Sequence, residues 1–333
     1  MKPRIGWLLG DSNGVGPELS AKLLAKSDVV RKADIVIIGV PAVWEAGQRV
    51  AGVEVGVHRR EDLSEISPAD RPNFVSLHVL DAAEITPGQA TRRAGEAVLA
   101  TLGAGARALR DGKIDGLVFA PLNKQAMRLA GLAVEDELEY FAQQLDYRGL
   151  VCELNVLDGL WSSRVTSHIP LRRVVDEVTV DAVCNGAYVI NGALQKSGVA
   201  HPRIVVCALN PHGGDGGTIG REEIDVIDPA IRRLQTEGID ARGPFPADTA
   251  FLVARKQICN AVLTRYHDQG QIALKTRGFE RGVTVMGGLP VPITTAAQGT
   301  AFDIVGKGIA DPRALRNAFD IVVEMATTRP AAL

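Results

Sequence analysis

The sequence predicts an α/β protein of two lobes built on mainly parallel sheets. Short apolar runs alternate with longer stretches of helical periodicity, which is the pattern of β-strand–α-helix–β-strand units. The length of 333 residues suits about two structural units, yet no Gly/Ser-rich segment separates them. Two lobes that share an extended sheet, with the chain crossing between them, therefore fit better than two independent domains.

The predicted strands are short apolar runs, at residues 5–9, 35–38, 74–79, 116–119, 150–154, 164–167, 204–208 and 261–264. The predicted helices have apolar residues at helical spacing, at residues 18–26, 94–110, 181–196, 222–237 and 312–327. The helix at 94–110 is followed by Asp111 and Gly112, and a glycine in the left-handed conformation is a common helix end. The polar stretch 61–73 is predicted to be a surface loop.

The composition narrows the class of protein. Hydrophobic residues make up 46% and charged residues 23%, as in a globular enzyme rather than a disordered chain. A net charge of −2 gives no reason to expect nucleic acid or an anionic membrane as a partner. The first apolar run stops at Asp11, which is too short for a secretory signal or a membrane span. The four cysteines include no Cys-x-x-Cys pair, so we expect reduced thiols and a cytoplasmic protein.

A glycine-containing corner directly follows the first predicted strand. Residues 10–18 read Gly-Asp-Ser-Asn-Gly-Val-Gly-Pro-Glu, and Pro17 and Glu18 suit the first turn of a helix. Free amides at such a corner could hold a phosphate or carboxylate, although the segment is not the Gly-x-Gly-x-x-Gly dinucleotide motif. An anion site and a tight structural turn are equally good interpretations of these residues.

Three histidines stand directly after predicted strands: His168, His212 and His267. Ligands collect at the carboxyl ends of strands in an open parallel sheet. Three imidazoles could bind zinc or cobalt and leave coordination positions for a substrate. Asp248 is a candidate fourth group or an orienting partner. A single histidine after a strand is more often a hydrogen-bonded loop residue, so spacing alone leaves both interpretations open.

Two further segments are candidates for ligand binding. Lys275, Arg277 and Arg281 follow His267 closely, and a lysine there could pair with a substrate anion or move a proton. A solvated loop is the alternative for the two arginines. Residues 298–312 are rich in glycine and end in an Asp-Pro helix start, which makes them a candidate ligand loop.

Together these segments resemble the 4-hydroxythreonine-4-phosphate dehydrogenase family of pyridoxal phosphate biosynthesis. The matching stretches run in order from about residue 5 to about residue 325, at 11–18, 167–171, 209–212, 246–249 and 266–270. The loop at 298–312 is also similar to the cofactor loop of isopropylmalate and isocitrate dehydrogenases. The resemblance implies a two-lobed α/β/α fold of that kind, with NAD or NADP bound without a Rossmann motif. It also implies a homodimer with the active site near the interface.

The resemblance assigns regions of the chain to the two lobes. Residues 1–125 with 270–333 form lobe one, which carries the cofactor loop, and residues 126–269 form lobe two, the metal and dimer side. The family's metal ligands fall on His168, His212 and His267, where we expect zinc, with cobalt or magnesium as alternatives.

The same comparison implies roles for four more residues. Lys275 falls on a substrate-binding lysine and is a candidate catalytic group together with Asp248. Gly299 and Asp303 are the predicted cofactor contacts in the loop at 298–312.

Several substrate positions depart from the family's pattern. The family's Gly-His-Thr-Glu is Asp-Glu-Leu-Glu here, so Glu137 and Leu138 occupy substrate-contacting positions. Thr284 replaces an asparagine and Ile293 an arginine that contact substrate, and Gln298 replaces the histidine that opens the cofactor loop. Since each charge-assisted contact contributes about 1.5–3 kcal/mol, these changes predict weaker binding of a phosphate group.

The sequence thus predicts metal-dependent oxidation of a small hydroxy acid by NAD(P), with decarboxylation of the β-keto acid formed. One alternative is a dehydrogenase of a non-phosphorylated substrate, such as an aromatic-derived dihydrodiol carboxylate or a sugar acid. A second is a metal-dependent hydrolase or lyase that uses no nicotinamide. A third is a non-catalytic metabolite-binding protein on the same fold.

Overall fold

The computed structural model describes residues 2–256 and 259–328. Its strands, in chain order, are β1 Arg4–Leu8, β2 Asp34–Gly39, β3 His58–Arg60, β4 Asn73–Ser76, β5 Gly116–Phe119, β6 Cys152–Leu157, β7 Leu160–Arg164, β8 Arg203–Cys207, β9 Asp240–Phe245, β10 Ala261–Thr264, β11 Val283–Gly287 and β12 Ile293–Ala296. Its helices are α1 Gly16–Leu24, α2 Ser27–Val30, α3 Pro41–Ala51, α4 Arg92–Arg110, α5 Lys124–Leu129, α6 Glu137–Gln144, α7 Val174–Glu177, α8 Val180–Lys196, α9 Asp228–Thr236, α10 Ala247–Lys256, α11 His267–Gly278 and α12 Arg313–Thr327.

The chain divides into two compact units. Unit 1 comprises the described residues of Met1–Arg148 and Leu289–Leu333, and unit 2 comprises those of Gly149–Gly288. The two crossings predicted from the sequence lie earlier, at 125/126 and 269/270. The difference arises because α5 and α6 pack against α4 and so stay with unit 1. At the second crossing, β11 pairs with β6 and holds the chain in unit 2 as far as residue 288.

Unit 1 is built on an all-parallel sheet in the order β3-β4-β2-β1-β5-β12. The inner strands are buried on both faces, which explains why they read as continuous apolar runs. Trp7 on β1 contacts Phe319 on α12, with ring centroids 5.4 Å apart, and its Nε1 donates to Ser20 Oγ at 2.9 Å. The predicted corner after β1 is present, with Pro17 and Glu18 in the first turn of α1.

Unit 2 is built on a mixed sheet in the order β11-β6-β7-β10-β8-β9. β6 pairs antiparallel with both β11 and β7, and the remaining strands pair in parallel. The predicted strands at 150–154 and 164–167 were displaced from the true ones. A β-hairpin joins β6 to β7 through Asp158 and Gly159, which have φ of 49° and 78°. This Asp-Gly pair is a typical hairpin turn, which a prediction of strands from apolar runs alone does not detect.

The α/β class with mainly parallel strands is confirmed by both units. One predicted helix was inexact: residues 222–237 begin as a π-helical turn, Glu223–Ile227, before α9 starts. Within residues 2–256 and 259–328, no helix is both long and apolar enough to cross a membrane.

Candidate active site

The three histidines follow three adjacent parallel strands of unit 2. β10 pairs in parallel with β7 on one side and with β8 on the other. β7 leads to His168, β8 to His212 and β10 to His267. Because the carboxyl ends of neighbouring parallel strands lie at one edge of a sheet, all three histidine loops start from the same edge.

Continued backbone pairing beyond the strands brings His168 and His267 together. Val165 N donates to Thr264 O at 3.0 Å, and Thr166 donates to Arg265 O through both its backbone N and its Oγ1, each at 3.0 Å. The imidazole rings of His168 and His267 have centroids 5.9 Å apart. His267 Nδ1 lies 2.8 Å from Asp268 Oδ1, a contact that orients the ring and directs Nε2 away from that carboxylate.

His212 begins a run of left-handed backbone. Every residue from His212 to Gly217 has positive φ, including the non-glycine residues His212 at 54° and Asp215 at 46°. This conformation costs an ordinary L-residue about 1–2 kcal/mol. Gly214 must be glycine, since a Cβ there would lie 2.6 Å from Glu223 Oε2. Strained backbone at a candidate ligand is a common property of functional sites.

Glu223 holds the start of the His212 loop by hydrogen bonds. Its Oε1 accepts hydrogen bonds from Leu209 N and Asn210 N, both at 2.8 Å, and its Oε2 accepts from Asn210 Nδ2 at 2.9 Å. Burial acts to raise the pKa of Glu223, but the hydrogen bonds from Asn210 and the neighbouring amides outweigh it, so the pKa lies below its ordinary value. Glu223 is therefore a buried carboxylate that holds its charge and fixes the start of the loop.

The predicted metal ligands are only partly assembled. Among the described residues, no group of three or more His, Cys, Asp or Glu side chains is arranged to hold a metal ion. His168 and His267 form a pair, and two imidazoles on one tetrahedral zinc have centroids roughly 5 Å apart, from a Zn–N distance of about 2 Å. The observed separation of 5.9 Å is close to this value, so the spacing of the two imidazoles fits a divalent ion.

The other predicted residues of unit 2 lie on neighbouring elements. Asp248 is exposed in the first turn of α10, and Lys275 is exposed in the last turn of α11. Thr284 on β11 accepts a hydrogen bond from Asn155 Nδ2 at 3.4 Å, opposite Asn155 in the β11–β6 register.

The residues of unit 1 that were predicted to contact substrate are buried. Glu137 begins α6 and lies 3.7 Å from Lys124 Nζ, so a cation of the same unit partly offsets its charge. Leu138 is buried beside it, and Ile293 on β12 has no exposed surface. The carboxylate of Glu137 would repel a phosphate group, and its pairing with Lys124 makes that repulsion smaller.

The predicted cofactor loop at 298–312 is held by α1. Gly299 and Asp303 are exposed, with Asp303 in a short 3-10 turn, Phe302–Ile304. Lys22 Nζ donates to Gly308 O and Ala310 O, each at 2.9 Å, and to Glu18 Oε1 at 2.7 Å. The contact of Lys22 with this loop was not predicted from the sequence, although a Glu and a Lys four residues apart on a helix are a recognisable ion pair.

The corner before α1 also supports this loop. Val15 N donates to Thr300 O at 3.1 Å, and Gly14 packs so closely that a Cβ would lie 2.9 Å from Thr300 Cβ. Asp11 in the same corner is fully buried; its Oδ1 accepts from Asn13 N, and its Oδ2 has no hydrogen-bond partner in the described part of the chain. Burial raises the pKa of Asp11 to about 6, with the hydrogen bond from Asn13 opposing.

These features define a class: a two-unit α/β protein with histidines at the strand ends of one unit and an anchored glycine-rich loop in the other. Residues 31–322 match the family model described as pyridoxal phosphate biosynthetic protein PdxA, and the chain belongs to this family.

Similar proteins carry the name of one enzyme. The chain is 46% identical over 326 residues to a Pseudomonas aeruginosa protein named provisionally 4-hydroxythreonine-4-phosphate dehydrogenase 2, covering 97% of each. It is 38% identical to 4-hydroxythreonine-4-phosphate dehydrogenase of Pseudomonas putida, covering 99% of this chain and 100% of the relative. The crystal structure of a 4-hydroxythreonine-4-phosphate dehydrogenase from Burkholderia phymatum matches with a TM-score of 0.82 and 33% identity, over 98% of each chain.

The comparisons confirm the family resemblance and the enzyme class predicted from the sequence, an NAD(P)-dependent dehydrogenase that acts on a CH–OH group. They give no support to the alternatives: a non-phosphorylated substrate, a hydrolase or lyase without nicotinamide, or a non-catalytic binding protein.

Proposed function

We propose that the chain oxidises 4-hydroxythreonine 4-phosphate or a closely related phosphorylated hydroxy acid, using NAD or NADP and a divalent metal. The observation that carries this proposal is the placement of His168, His212 and His267 after three adjacent parallel strands, in a chain of the PdxA family.

The proposed metal ligands are the three histidines, with zinc as the expected ion and cobalt or magnesium as alternatives. His267 would bind through Nε2, since its Nδ1 contacts Asp268. A divalent ion held there supplies Lewis acidity, which lowers the pKa of a substrate hydroxyl and stabilises developing negative charge.

Two residues of unit 2 are proposed to carry out the proton transfers. Asp248 is proposed to accept the proton of the substrate hydroxyl as the carbinol carbon is oxidised to a ketone, for which a bound NAD or NADP would supply the hydride acceptor. The bond to the neighbouring carboxylate then breaks, CO₂ departs, and the electron pair stays on the adjacent carbon. Lys275 is proposed to bind the substrate anion and to protonate that carbon.

The remaining substrate and cofactor contacts follow the family's positions. The proposed substrate contacts are Glu137, Leu138, Thr284 and Ile293, and we expect them to bind the phosphate more weakly than a pocket with arginine and histidine would. In unit 1, Gly299 and Asp303 are proposed to contact the cofactor, and the anchor on Lys22 and Glu18 supports their loop.

A homodimer in the cytoplasm completes the proposal. Exposed aliphatic side chains follow the histidine loops, with Leu171 67%, Ile219 47% and Ile272 63% exposed. A second copy would cover such a surface beside the proposed metal ligands. The four cysteines are free, as expected of a protein in a reducing compartment.

Cofactor reduction with 4-hydroxythreonine 4-phosphate tests the function. The wild-type protein is assayed with NAD or NADP and with Zn²⁺, Co²⁺ or Mg²⁺, next to His212→Ala and the control His201→Ala, an exposed histidine before the first residue of β8, at the opposite end of that strand from His212. We expect reduced cofactor and released CO₂ from the wild type and from His201→Ala, and neither from His212→Ala. Absence of cofactor reduction in every wild-type combination would refute the proposed function.

A further inference from the structure

Helix α11, which begins at His267 and carries Lys275, packs on a polar layer of unit 2. Gln271 Nε2 donates to Asn155 Oδ1 at 2.6 Å. Gly270 faces Ser162 and Thr264, whose hydroxyl oxygens would lie 3.2 and 3.3 Å from a Cβ at that position. α11 buries Leu274 in the apolar core of unit 2, and the hydrogen bond from Gln271 adds a directional contact on the polar side of the helix.

Arg164, the last residue of β7, lies at the centre of this layer. It is 5% exposed, and each guanidinium nitrogen has a partner. Nε donates to Ser167 Oγ at 2.6 Å, Nη1 to Asn155 Oδ1 at 3.1 Å, and Nη2 to Glu153 Oε2 at 2.6 Å. Glu153, which is partly exposed, balances the charge of the buried guanidinium.

These contacts reach three parts of the proposed site. Ser167 directly precedes His168. Asn155 receives Gln271 from α11, the helix that starts at His267, and its Nδ2 donates to Thr284 Oγ1. One buried side chain is thus joined, directly or through Asn155, to the His168 loop, to α11 and to Thr284.

We propose that Arg164 is a positioning residue that sets the orientation of His168 and His267 for metal binding and of Thr284 for substrate binding. The inference rests on the proposed function. The planar guanidinium is required because it donates in three directions at fixed angles, which the single ammonium group of lysine does not.

The variant Arg164→Lys separates positioning from simple stability. Lysine keeps the charge opposite Glu153 but loses the simultaneous bonds to Ser167 and Asn155. Arg242→Lys is the matched control, because Arg242 pairs with Asp240 at the surface of the same unit. Ser167→Ala and Asn155→Ala then remove the two branches one at a time.

Metal affinity is measured first, by titration with Co²⁺ followed through its visible absorption, which reports ligand geometry without turnover. Loss of a group that orients metal ligands typically lowers affinity about 10–100-fold. We expect Arg164→Lys to fall in this range with an altered spectrum, Ser167→Ala to lower Co²⁺ affinity in the same direction, and Arg242→Lys to match the wild type.

Kinetics on the same proteins complete the test. We expect Arg164→Lys to lower kcat about 10-fold or more and to leave the KM for NAD(P) unchanged, since the cofactor loop belongs to unit 1. Asn155→Ala should raise the substrate KM.

Wild-type Co²⁺ affinity and kcat in Arg164→Lys would overturn the inference, as would equal loss of every parameter together with loss of folded protein. An inactive wild type that binds Co²⁺ more tightly than Arg164→Lys would instead refute the proposed function and leave the positioning role in place.

Discussion

The loop proposed to bind cofactor in unit 1 and the histidine loops of unit 2 are held in place by different means. In unit 1, Lys22 binds two backbone carbonyls of the loop, and Glu18 accepts from Ala310 N, over a sheet with an apolar core. In unit 2, Arg164 and Glu223 are buried charged groups whose hydrogen bonds fix individual side chains and amides. A cofactor loop needs its backbone in place, whereas metal ligands need each side chain oriented.

Removal of the Glu223 carboxylate should have the largest effect in this comparison. Glu223→Ala leaves Leu209 N and Asn210 N without their acceptor, while Asn210 Nδ2 keeps its hydrogen bond to Glu222 Oε2 at 2.6 Å. At 1–3 kcal/mol for each buried unsatisfied group, the free energy of unfolding should fall by about 4 kcal/mol. Denaturant unfolding measures this, and Co²⁺ affinity should fall with it because the loop carries His212. Unchanged stability would show that the loop does not depend on this anchor.

Asp11→Asn should act in the opposite direction in unit 1. The pKa of Asp11 is raised from 3.8 to about 6, so folding disfavours its charged form. The wild type therefore loses stability as the pH rises from about 4 to about 6, and the loss is complete above that range. Asparagine removes this penalty, which is about 3 kcal/mol at pH 7. Unfolding at pH 4 and pH 7 checks the sign; a less stable variant at pH 7 would contradict it.

Lys22→Met tests whether the two regions are independent. Without the ammonium group, Gly308 O and Ala310 O lose their donor, and the loop at 298–312, which is proposed to bind cofactor, loses its anchor. The KM for NAD(P) should rise about 10-fold, equivalent to about 1.4 kcal/mol, with Co²⁺ affinity unchanged. Lys32→Met, which removes an ion pair with Asp320 at the surface, is the control and should change neither quantity. A fall in Co²⁺ affinity in Lys22→Met would show that the two regions are not independent.

Asp215→Gly should have the smallest effect. Asp215 has φ of 46°, and glycine adopts this conformation without the steric cost of a Cβ. The free energy of unfolding should rise by about 0.5–1 kcal/mol, with Co²⁺ affinity retained. A destabilised variant would show that the Asp215 side chain, rather than its backbone, stabilises the His212 loop.

The sequence predicted what depends on local pattern. Apolar runs located most of the strands, and so the positions of His168, His212 and His267 after their carboxyl ends were predicted correctly. The hairpin at Asp158 and Gly159 was not predicted, because apolar runs locate strands but not the turn residues between them.

Contacts between distant segments could not be predicted in this way. Lys22 meets Gly308 and Ala310 far along the chain. The partners of Arg164 come from β6 and from the loop after β7, and Asn155 links it to α11 and β11. Nothing in the pattern near Arg164 indicates that its side chain is buried, and the left-handed run that starts at His212 includes two non-glycine residues.

The most direct test of the central claim is the metal content of three proteins: the wild type, His212→Ala and His201→Ala. After dialysis against Zn²⁺ and removal of unbound metal, we predict one tightly bound ion per chain in the wild type and in His201→Ala, and none in His212→Ala. Equal metal content in all three proteins would contradict the assignment of the metal centre to the ends of β7, β8 and β10.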